Sequence, residues 1–112
     1  MKDSIILASN YGMGKADEAL QLTLIEKYFE LLIENENLPA AICFYTDGVK
    51  LVCEGSPVLK QLRELEARKV RLVICSSCLN YFELNEKVRV GVIGGMGDIL
   101  EAQSKAEKVI SI

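Results

Sequence analysis

Histidine and tryptophan are both absent from the 112 residues of this sequence. Without histidine, one chain cannot build a Ser-His-Asp or Cys-His catalytic arrangement or a histidine-ligated metal site. The sequence patterns of P-loops, EF-hands and paired catalytic carboxylates are also missing. The net charge is only −3 and no basic stripe is present, so neither nucleic acid nor an anionic membrane is an expected partner.

Long apolar runs are absent as well. The first apolar run, Ile5 to Ala8, is too short for a signal-peptide core or a membrane span, so a cytoplasmic protein is expected. Half of the residues are nevertheless apolar and 26% are charged, which predicts an ordinary folded core. The length suits one compact domain that comprises residues 1–112.

Four cysteines are the nucleophiles that remain, at Cys43, Cys53, Cys75 and Cys78. In a reducing cytoplasm they need not pair as disulfides. Only Cys75 and Cys78 form a C-x-x-C pair, and a structural zinc site usually needs two such pairs, so no bound metal is expected. Any chemistry of this chain must therefore start from its thiols.

Two hydrophobic periods alternate along the chain and predict strands and helices in turn. Short apolar runs bounded by polar loops are typical of buried strands, and apolar residues at three- and four-residue spacing indicate helices. The predicted strands are residues 5–8, 40–45, 72–75, 88–93 and 108–112. The predicted helices are residues 15–34, 56–69, 79–87 and 98–104, the second beginning with a Ser56 cap and Pro57. This alternation predicts a parallel sheet with helices on both faces.

The loops that leave the carboxyl ends of parallel strands gather at one edge of the sheet, where ligand sites form. Here these loops are residues 10–14, 46–55, 75–81 and 94–97. The C-x-x-C pair therefore lies at this edge by topology alone. The predicted substrate-edge residues on these loops are Asn10, Tyr11, Lys50 and Met96. Of these, the lysine is a candidate to offset the charge of a thiolate or persulfide, although a solvated lysine is the default interpretation.

Cys78 is the cysteine whose position predicts chemistry. It follows a buried strand and is expected to open a short helix, whose free backbone N–H groups would stabilise a thiolate and lower its pKa. Cys75 is close enough in sequence to resolve a persulfide or to form a disulfide with it. The alternative interpretation treats both as small apolar residues that seal the sheet edge. Cys43 is expected in the core, and Cys53 is expected to be incidental because Glu54 would raise its pKa.

A series of short segments carries a family resemblance. They are Gly48–Leu51, Glu54–Ser56, Val58 and Leu59 with Leu62, Glu64–Glu66, Cys75–Leu79, Tyr81, Leu84, Lys87 and Val90–Gly91. Met13–Gly14, Asp17–Glu18, Leu20 and Lys108–Ile110 extend them over nearly the whole chain. Together these segments resemble the C-terminal domain of YedF-type proteins, which are sulfurtransferase-like proteins associated with selenium metabolism in the DsrE/DsrF-like superfamily.

The resemblance implies a three-layer α/β/α sandwich with a five-stranded, mainly parallel sheet. It also implies that Cys78, with Cys75 as its companion, accepts persulfide sulfur and passes it on. Relatives form homo- or hetero-oligomers, and YedF-type proteins usually carry an N-terminal sulfur-carrier-like domain. The resemblance thus implies a homo-oligomer that works with a TusA-like sulfur-carrier protein or domain. Since the chain begins directly at its first strand, it is expected to be a stand-alone form or an excised domain.

The residues leave three functional hypotheses open. The first is a cytoplasmic sulfur-relay or selenium-handling protein that passes sulfur or selenium from Cys78 to the thiol of a partner. It needs no metal or organic cofactor, and any enzyme activity would be sulfurtransferase-like. The second is a non-catalytic binding or assembly module whose cysteines are structural. The third is a dithiol redox switch formed by Cys75 and Cys78.

Overall fold

Strands and helices alternate along the whole chain in the computed structural model, which describes residues 1–112. The strands are β1 (Ser4–Ala8), β2 (Ala41–Phe44), β3 (Arg71–Cys75), β4 (Val92–Gly94) and β5 (Lys108–Ser111). The helices are α1 (Glu18–Glu34), α2 (Leu59–Ala67), α3 (Ser76–Tyr81) and α4 (Met96–Lys105), and a 3₁₀ segment spans Thr46–Val52. None of the helices is long and apolar enough to cross a membrane.

The five strands form one parallel sheet in the order β4-β3-β2-β1-β5. The connections through α1 and α2 step across the sheet in one direction, whereas the connection through α4 steps back across it. Because such crossovers are right-handed, α1 and α2 lie on one face and α4 lies on the other. The predicted α/β fold with a five-stranded parallel sheet is therefore confirmed.

Burial explains why three of the strands are continuous apolar runs. β1, β2 and nearly all of β3 are buried, because they lie in the middle of the sheet and are covered on both faces. The outer strands β4 and β5 are largely exposed, with Val92 at 68% and Val109 at 43% exposure. The buried apolar residues form one contiguous core that includes Cys43, Cys53 and Cys75.

Several element boundaries differ from the predicted ones. Helix α2 begins at Leu59 rather than at the predicted cap, because Ser56 accepts a hydrogen bond from the Val58 N–H at 3.3 Å and holds a turn there. Strand β4 is shorter than predicted because the segment before it pairs elsewhere. The Arg89 N–H donates to the Val52 carbonyl at 2.9 Å, and this ties residues 87–89 to the end of the 3₁₀ segment.

The two remaining helices also begin earlier than predicted. Helix α3 comprises residues 76–81 instead of 79–87, so the C-x-x-C pair lies at its start. Helix α4 starts at Met96 rather than at Asp98, whose carboxylate instead accepts a hydrogen bond from the Gly95 N–H at 2.8 Å. Acidic side chains commonly occupy this position in the first turn, where they satisfy free backbone donors.

Gly48 allows the 3₁₀ segment to pack directly on the end of β1. A Cβ atom at this position would lie only 1.9 Å from the carbonyl oxygen of Ala8. Any other residue would force the two backbones apart, because that contact involves backbone atoms and cannot be relieved by a side-chain rotation. The glycine thus fixes the loop after β2 against the loop after β1, at the edge where the carboxyl ends of the strands meet.

Candidate functional site

The candidate site lies at the carboxyl end of β3. This strand is a run of apolar residues that ends at Cys75, and the polar Ser76 begins helix α3 directly afterwards. Cys78 is the third residue of this helix, and its side chain is partly exposed, whereas the other three cysteines are buried. The abrupt change from strand to helix therefore brings this one thiol to the surface at the edge of the sheet.

Thr46 supplies the hydrogen-bond donor that faces this thiol. Its backbone N–H points at the Cys78 Sγ atom with a nitrogen–sulfur distance of 3.0 Å. Thr46 lies two residues after the end of β2, the strand next to β3, so neighbouring carboxyl ends of the sheet build the contact. A backbone N–H that faces a sulfur stabilises its negative charge and so favours the thiolate.

The backbone of Thr46 is held in an unusual conformation by its own side chain. Its φ angle of 48° lies in the left-handed region, which a β-branched residue rarely adopts. Its hydroxyl donates a hydrogen bond of 2.6 Å to the carbonyl of Ser9, in the loop after β1. This bond ties the loops after β1 and β2 together, and it orients the Thr46 N–H toward Cys78.

The pKa of the Cys78 thiol is nevertheless raised above its usual value. Burial is the main cause, and a side-chain hydrogen bond with the Cys75 thiol adds to it. The Thr46 N–H lowers the pKa, and the proximity of the Cys75 charge raises it. The predicted lowering of the Cys78 pKa is therefore wrong for the isolated chain. Desolvation of the thiolate outweighs the single N–H that favours it.

Cys75 lies directly beside this thiol but is closed to solvent. It is the last residue of β3, pairs with Gly94 of β4 and occupies the position just before helix α3. Its side chain is only 1% exposed. The C-x-x-C pair thus combines an accessible thiol at Cys78 with a buried one behind it.

The other two cysteines are part of the core. Cys43 is fully buried in β2, and burial raises the pKa of its thiol. Burial also raises the pKa of Cys53, against a smaller lowering by the charge of Arg89. The pKa of Cys53 is thus raised as expected, but burial is the cause rather than Glu54, whose carboxylate faces Lys87 and Arg89 at 3.4 and 3.7 Å.

The predicted edge residues Asn10, Tyr11 and Lys50 do come together. They line a cavity of about 400 Å³ beside the loop after β1. Burial raises the pKa of Tyr11, Glu18 raises it further, and Lys50 lowers it. A second cavity of about 320 Å³ also borders Tyr11 and Lys50, and its lining includes Cys53.

The surroundings of Lys50 and Met96 do not link either side chain to the Cys78 thiol. The Lys50 ammonium forms an ion pair with Asp47 at 2.8 Å and lies 4.4 Å from the centre of the Phe82 ring. Its charge is not among the causes of the Cys78 pKa shift. Met96 is 54% exposed at the start of α4 and lines neither of the two cavities. The structure therefore does not join these residues to the thiol.

Comparison with known protein families identifies the family of the chain. The model of the DsrE/DsrF-like family matches residues 2–112. The chain belongs to the DsrE/DsrF-like family. The predicted superfamily resemblance is thus confirmed over nearly the whole sequence. Among curated proteins, none matches it.

Solved structures show the same fold as this DsrE/DsrF-like chain. The ychN protein from E. coli is 20% identical, with a TM-score of 0.72 and full coverage of both chains. A protein of unknown function from Methanobacterium thermoautotrophicum is 18% identical, with a TM-score of 0.71 and 97% coverage of both chains. A conserved protein of unknown function from Bacteroides thetaiotaomicron is 17% identical, with a TM-score of 0.69 and coverage of 98% of this chain and 95% of that chain. These identities establish the shared fold alone.

Thr46 is the residue of this DsrE/DsrF-like site that sequence reasoning missed. A signal for it was present, because a polar residue directly after a buried strand of a parallel sheet lies at the edge where sites form. The sequence does not show that its N–H faces a sulfur 32 residues away.

No group of three or more Cys, Asp or Glu side chains converges as a metal site.

Proposed function

We propose that this chain is a sulfur-relay protein in which Cys78 carries sulfur as a persulfide and passes it to the thiol of a partner. The observation that carries the proposal is the Thr46 N–H, which faces the Cys78 Sγ at 3.0 Å. This thiol is also the one cysteine of the chain that is not buried. Membership of the DsrE/DsrF-like family, which is associated with sulfur relay, supports the same role.

The relay consists of two exchange steps at sulfur. In the first, the Cys78 thiolate attacks the outer sulfur of a donor persulfide, forms a new S–S bond and releases the donor thiolate. In the second, an acceptor thiolate attacks the outer sulfur on Cys78, and Cys78 leaves as a thiolate. The Thr46 N–H stabilises the negative charge on Cys78 before the first step and after the second.

The raised pKa of Cys78 limits how often the first step occurs. Only the thiolate is a nucleophile, and the raised pKa makes the thiolate scarcer at neutral pH than it is in an ordinary cysteine. Loading therefore speeds up as pH rises toward the pKa of Cys78. A low resting reactivity suits a carrier that exchanges sulfur with a docked partner rather than with small thiols in solution.

The proposed relay also has a docking partner, a transferred element and a cellular compartment. The partner is a TusA-like sulfur-carrier protein or domain that docks at the sheet edge around Cys78, and the working form is a homo-oligomer. The resemblance to YedF-type proteins adds selenium as the alternative element. The four cysteines are all free, which suits a reducing cytoplasm.

Sulfur loading of the intact protein tests the proposal. The reduced chain is treated with inorganic polysulfide, the excess is removed, and the mass and the modified peptide are determined. We expect a gain of one sulfur on Cys78 in protein sampled directly after loading, and no gain at that peptide in Cys78→Ser. Cys53→Ser is the matched control, since it removes a buried thiol and should load like the parent. Equal loading of the parent and Cys78→Ser would show that another atom holds the sulfur.

The raised pKa of Cys78 also favours a second candidate, a non-catalytic binding or assembly module. Exposed apolar side chains on α1 are consistent with such a module, because Leu20, Leu24 and Leu31 are 40–52% exposed on the helix side away from the core. This candidate predicts that Cys78→Ser leaves partner binding unchanged. Pull-down of the cellular partner with the parent and with Cys78→Ser separates it from the relay.

A further inference from the structure

The two thiols of the C-x-x-C pair differ in accessibility, and this difference affects what happens to a sulfur bound to Cys78. Cys78 is the accessible thiol, and Cys75, at 1% exposure, lies behind it on the inner side. The two residues occupy the cap and the third position of helix α3, so they lie one turn apart, where side chains are neighbours. The Cys75 thiol is also among the groups that raise the pKa of Cys78, as expected for neighbouring side chains.

The arrangement of an exposed Cys78 beside a buried Cys75 fits the geometry of sulfur exchange. An attacking thiolate approaches the inner sulfur of a persulfide from the side opposite the outer sulfur. Cys75 belongs to the buried core and the partly exposed Cys78 packs against that core, so the solvent side of Cys78 is where an added sulfur has room. An attack by Cys75 on the inner sulfur would then come from the core side, opposite the outer sulfur.

We infer that Cys75 is a resolving thiol that discharges an untransferred sulfur from Cys78 as hydrogen sulfide. The inference rests on the relay proposed above and adds a second reaction by which the sulfur leaves Cys78. The sulfur leaves by transfer when a partner is docked, and it leaves as sulfide when none is. The relay protein thus has a sulfide-releasing activity of its own.

The step balances without any outside oxidant. Cys75 Sγ forms a bond to the Cys78 Sγ, the bond from Cys78 to the outer sulfur breaks, and hydrosulfide leaves. The outer sulfur is reduced to sulfide, Cys75 is oxidised to one half of a disulfide, and the proton of the Cys75 thiol departs with the hydrosulfide as H₂S. A thiol reductant is needed only afterwards, to reopen the Cys75–Cys78 disulfide.

The burial of Cys75 gives the step its selectivity. A solvent-borne donor or oxidant cannot reach a side chain that is 1% exposed, so Cys75 reacts with what Cys78 carries and with little else. The two thiols belong to one helical turn, and a neighbouring group of this kind reacts far faster than a free thiol does. Cys43 is equally buried but lies in the middle of strand β2, away from that turn.

Release of sulfide from the loaded chain tests the inference. The parent, Cys75→Ala, Cys75→Ser and Cys43→Ala are loaded with inorganic polysulfide and desalted, and sulfide is followed with a sulfide-selective electrode. We expect the parent and Cys43→Ala to release one sulfide for each Cys75–Cys78 disulfide found by peptide mapping. Both Cys75 variants should hold the persulfide and release sulfide at least about tenfold more slowly. Alanine and serine are both tested so that a folding defect in one does not decide the result.

Two results would overturn the inference and separate it from the relay. Equal sulfide release from the parent and both folded Cys75 variants, with all of them loaded on Cys78, would reject the resolving thiol and leave the relay standing. Failure of the parent and the Cys75 variants to load at all would reject the relay and the resolving step together. Sulfide release without a matching disulfide would also reject the resolving step, because the balanced reaction forms one for each sulfur lost.

Discussion

Cys53 and Cys78 lie near the two ends of the same 3₁₀ segment, but their backbone partners have opposite polarity. The Cys78 Sγ accepts a hydrogen bond from the Thr46 N–H at 3.0 Å, whereas the Cys53 Sγ donates one to the carbonyl of Val49 at 3.2 Å. An N–H facing a sulfur stabilises the thiolate, and a carbonyl facing it stabilises the protonated thiol. One short segment thus supports a charged sulfur at its start and a neutral one at its end.

Burial adds to this difference. Cys53 is 3% exposed, whereas Cys78 is open enough for a reagent to reach it. Burial raises the pKa of both thiols, so the pKa direction alone does not tell them apart. The comparison teaches that accessibility and the polarity of the backbone partner, rather than the sign of the pKa shift, distinguish the candidate nucleophile from a structural cysteine.

The largest expected effect is the difference in alkylation of these two thiols. In the folded chain, iodoacetamide should modify Cys78 while Cys53 is protected by about a thousandfold or more relative to the urea-unfolded chain, because its reaction requires local opening. Peptide mass mapping over time measures both rates in one sample. Comparable alkylation rates for the two cysteines in the folded protein would show that Cys53 and Cys78 do not differ in accessibility.

Gly48→Ala should have the next largest effect, because it disturbs the segment that both thiols share. The added Cβ would meet the carbonyl of Ala8, and we expect a loss of about 3 kcal/mol in the free energy of unfolding. Urea denaturation measures the loss. Gly97→Ala is the matched control, since nothing lies within 4 Å of a Cβ there, and its stability should change by less than about 1 kcal/mol. Equal stabilities for the two variants would show that the backbones are not in close contact.

The smallest expected effect comes from changing the direction in which the Thr46 N–H points. Thr46→Val keeps the branched shape but loses the hydrogen bond to the Ser9 carbonyl, which should cost about 1 kcal/mol of stability. The N–H is then less firmly directed at Cys78, so the pKa of Cys78 should rise further and its alkylation midpoint should move to higher pH.

The sign of this pH profile follows from the raised pKa of Cys78. In the folded parent, burial favours the protonated thiol, so its alkylation midpoint should lie above that of the same cysteine in the unfolded chain. Stability from this thiol is present at low pH and is lost as pH rises through the folded pKa. Thr46→Ser keeps the hydroxyl and should behave like the parent. A folded Thr46→Val with an unshifted midpoint would mean that the hydroxyl does not position the N–H.

Much of the fold was predictable from particular residues. The runs Ile5–Ala8 and Leu72–Cys75 predicted buried central strands, since strands covered on both faces are continuously apolar. The boundaries near Ser56 and Val88 were predicted wrongly, because tertiary hydrogen bonds decide them. The Ser56 side chain holds a turn before α2, and the backbone around Val88 pairs with Cys53 rather than extending β4.

The candidate site was only partly predictable. Topology placed the C-x-x-C pair at the carboxyl edge, and Asn10, Tyr11 and Lys50 do share a cavity there. The direction of the Cys78 pKa shift was predicted wrongly, since a short helix and one N–H do not offset burial. Met96 was predicted at the substrate edge but lines neither cavity, because α4 turns away to the opposite face of the sheet.

The alternation of strands and helices, the lack of histidine chemistry and the location of two thiols at the end of the third strand are all consequences of the amino-acid sequence alone. These follow from local periodicity, residue type and the topology of parallel sheets, all of which can be read along the chain. The folded chain was needed to show which thiol is accessible, which backbone group faces it and which cysteine is buried beside it. Those features depend on contacts between the ends of neighbouring strands, such as Thr46 with Ser9 and Cys78, that bring together residues far apart in sequence.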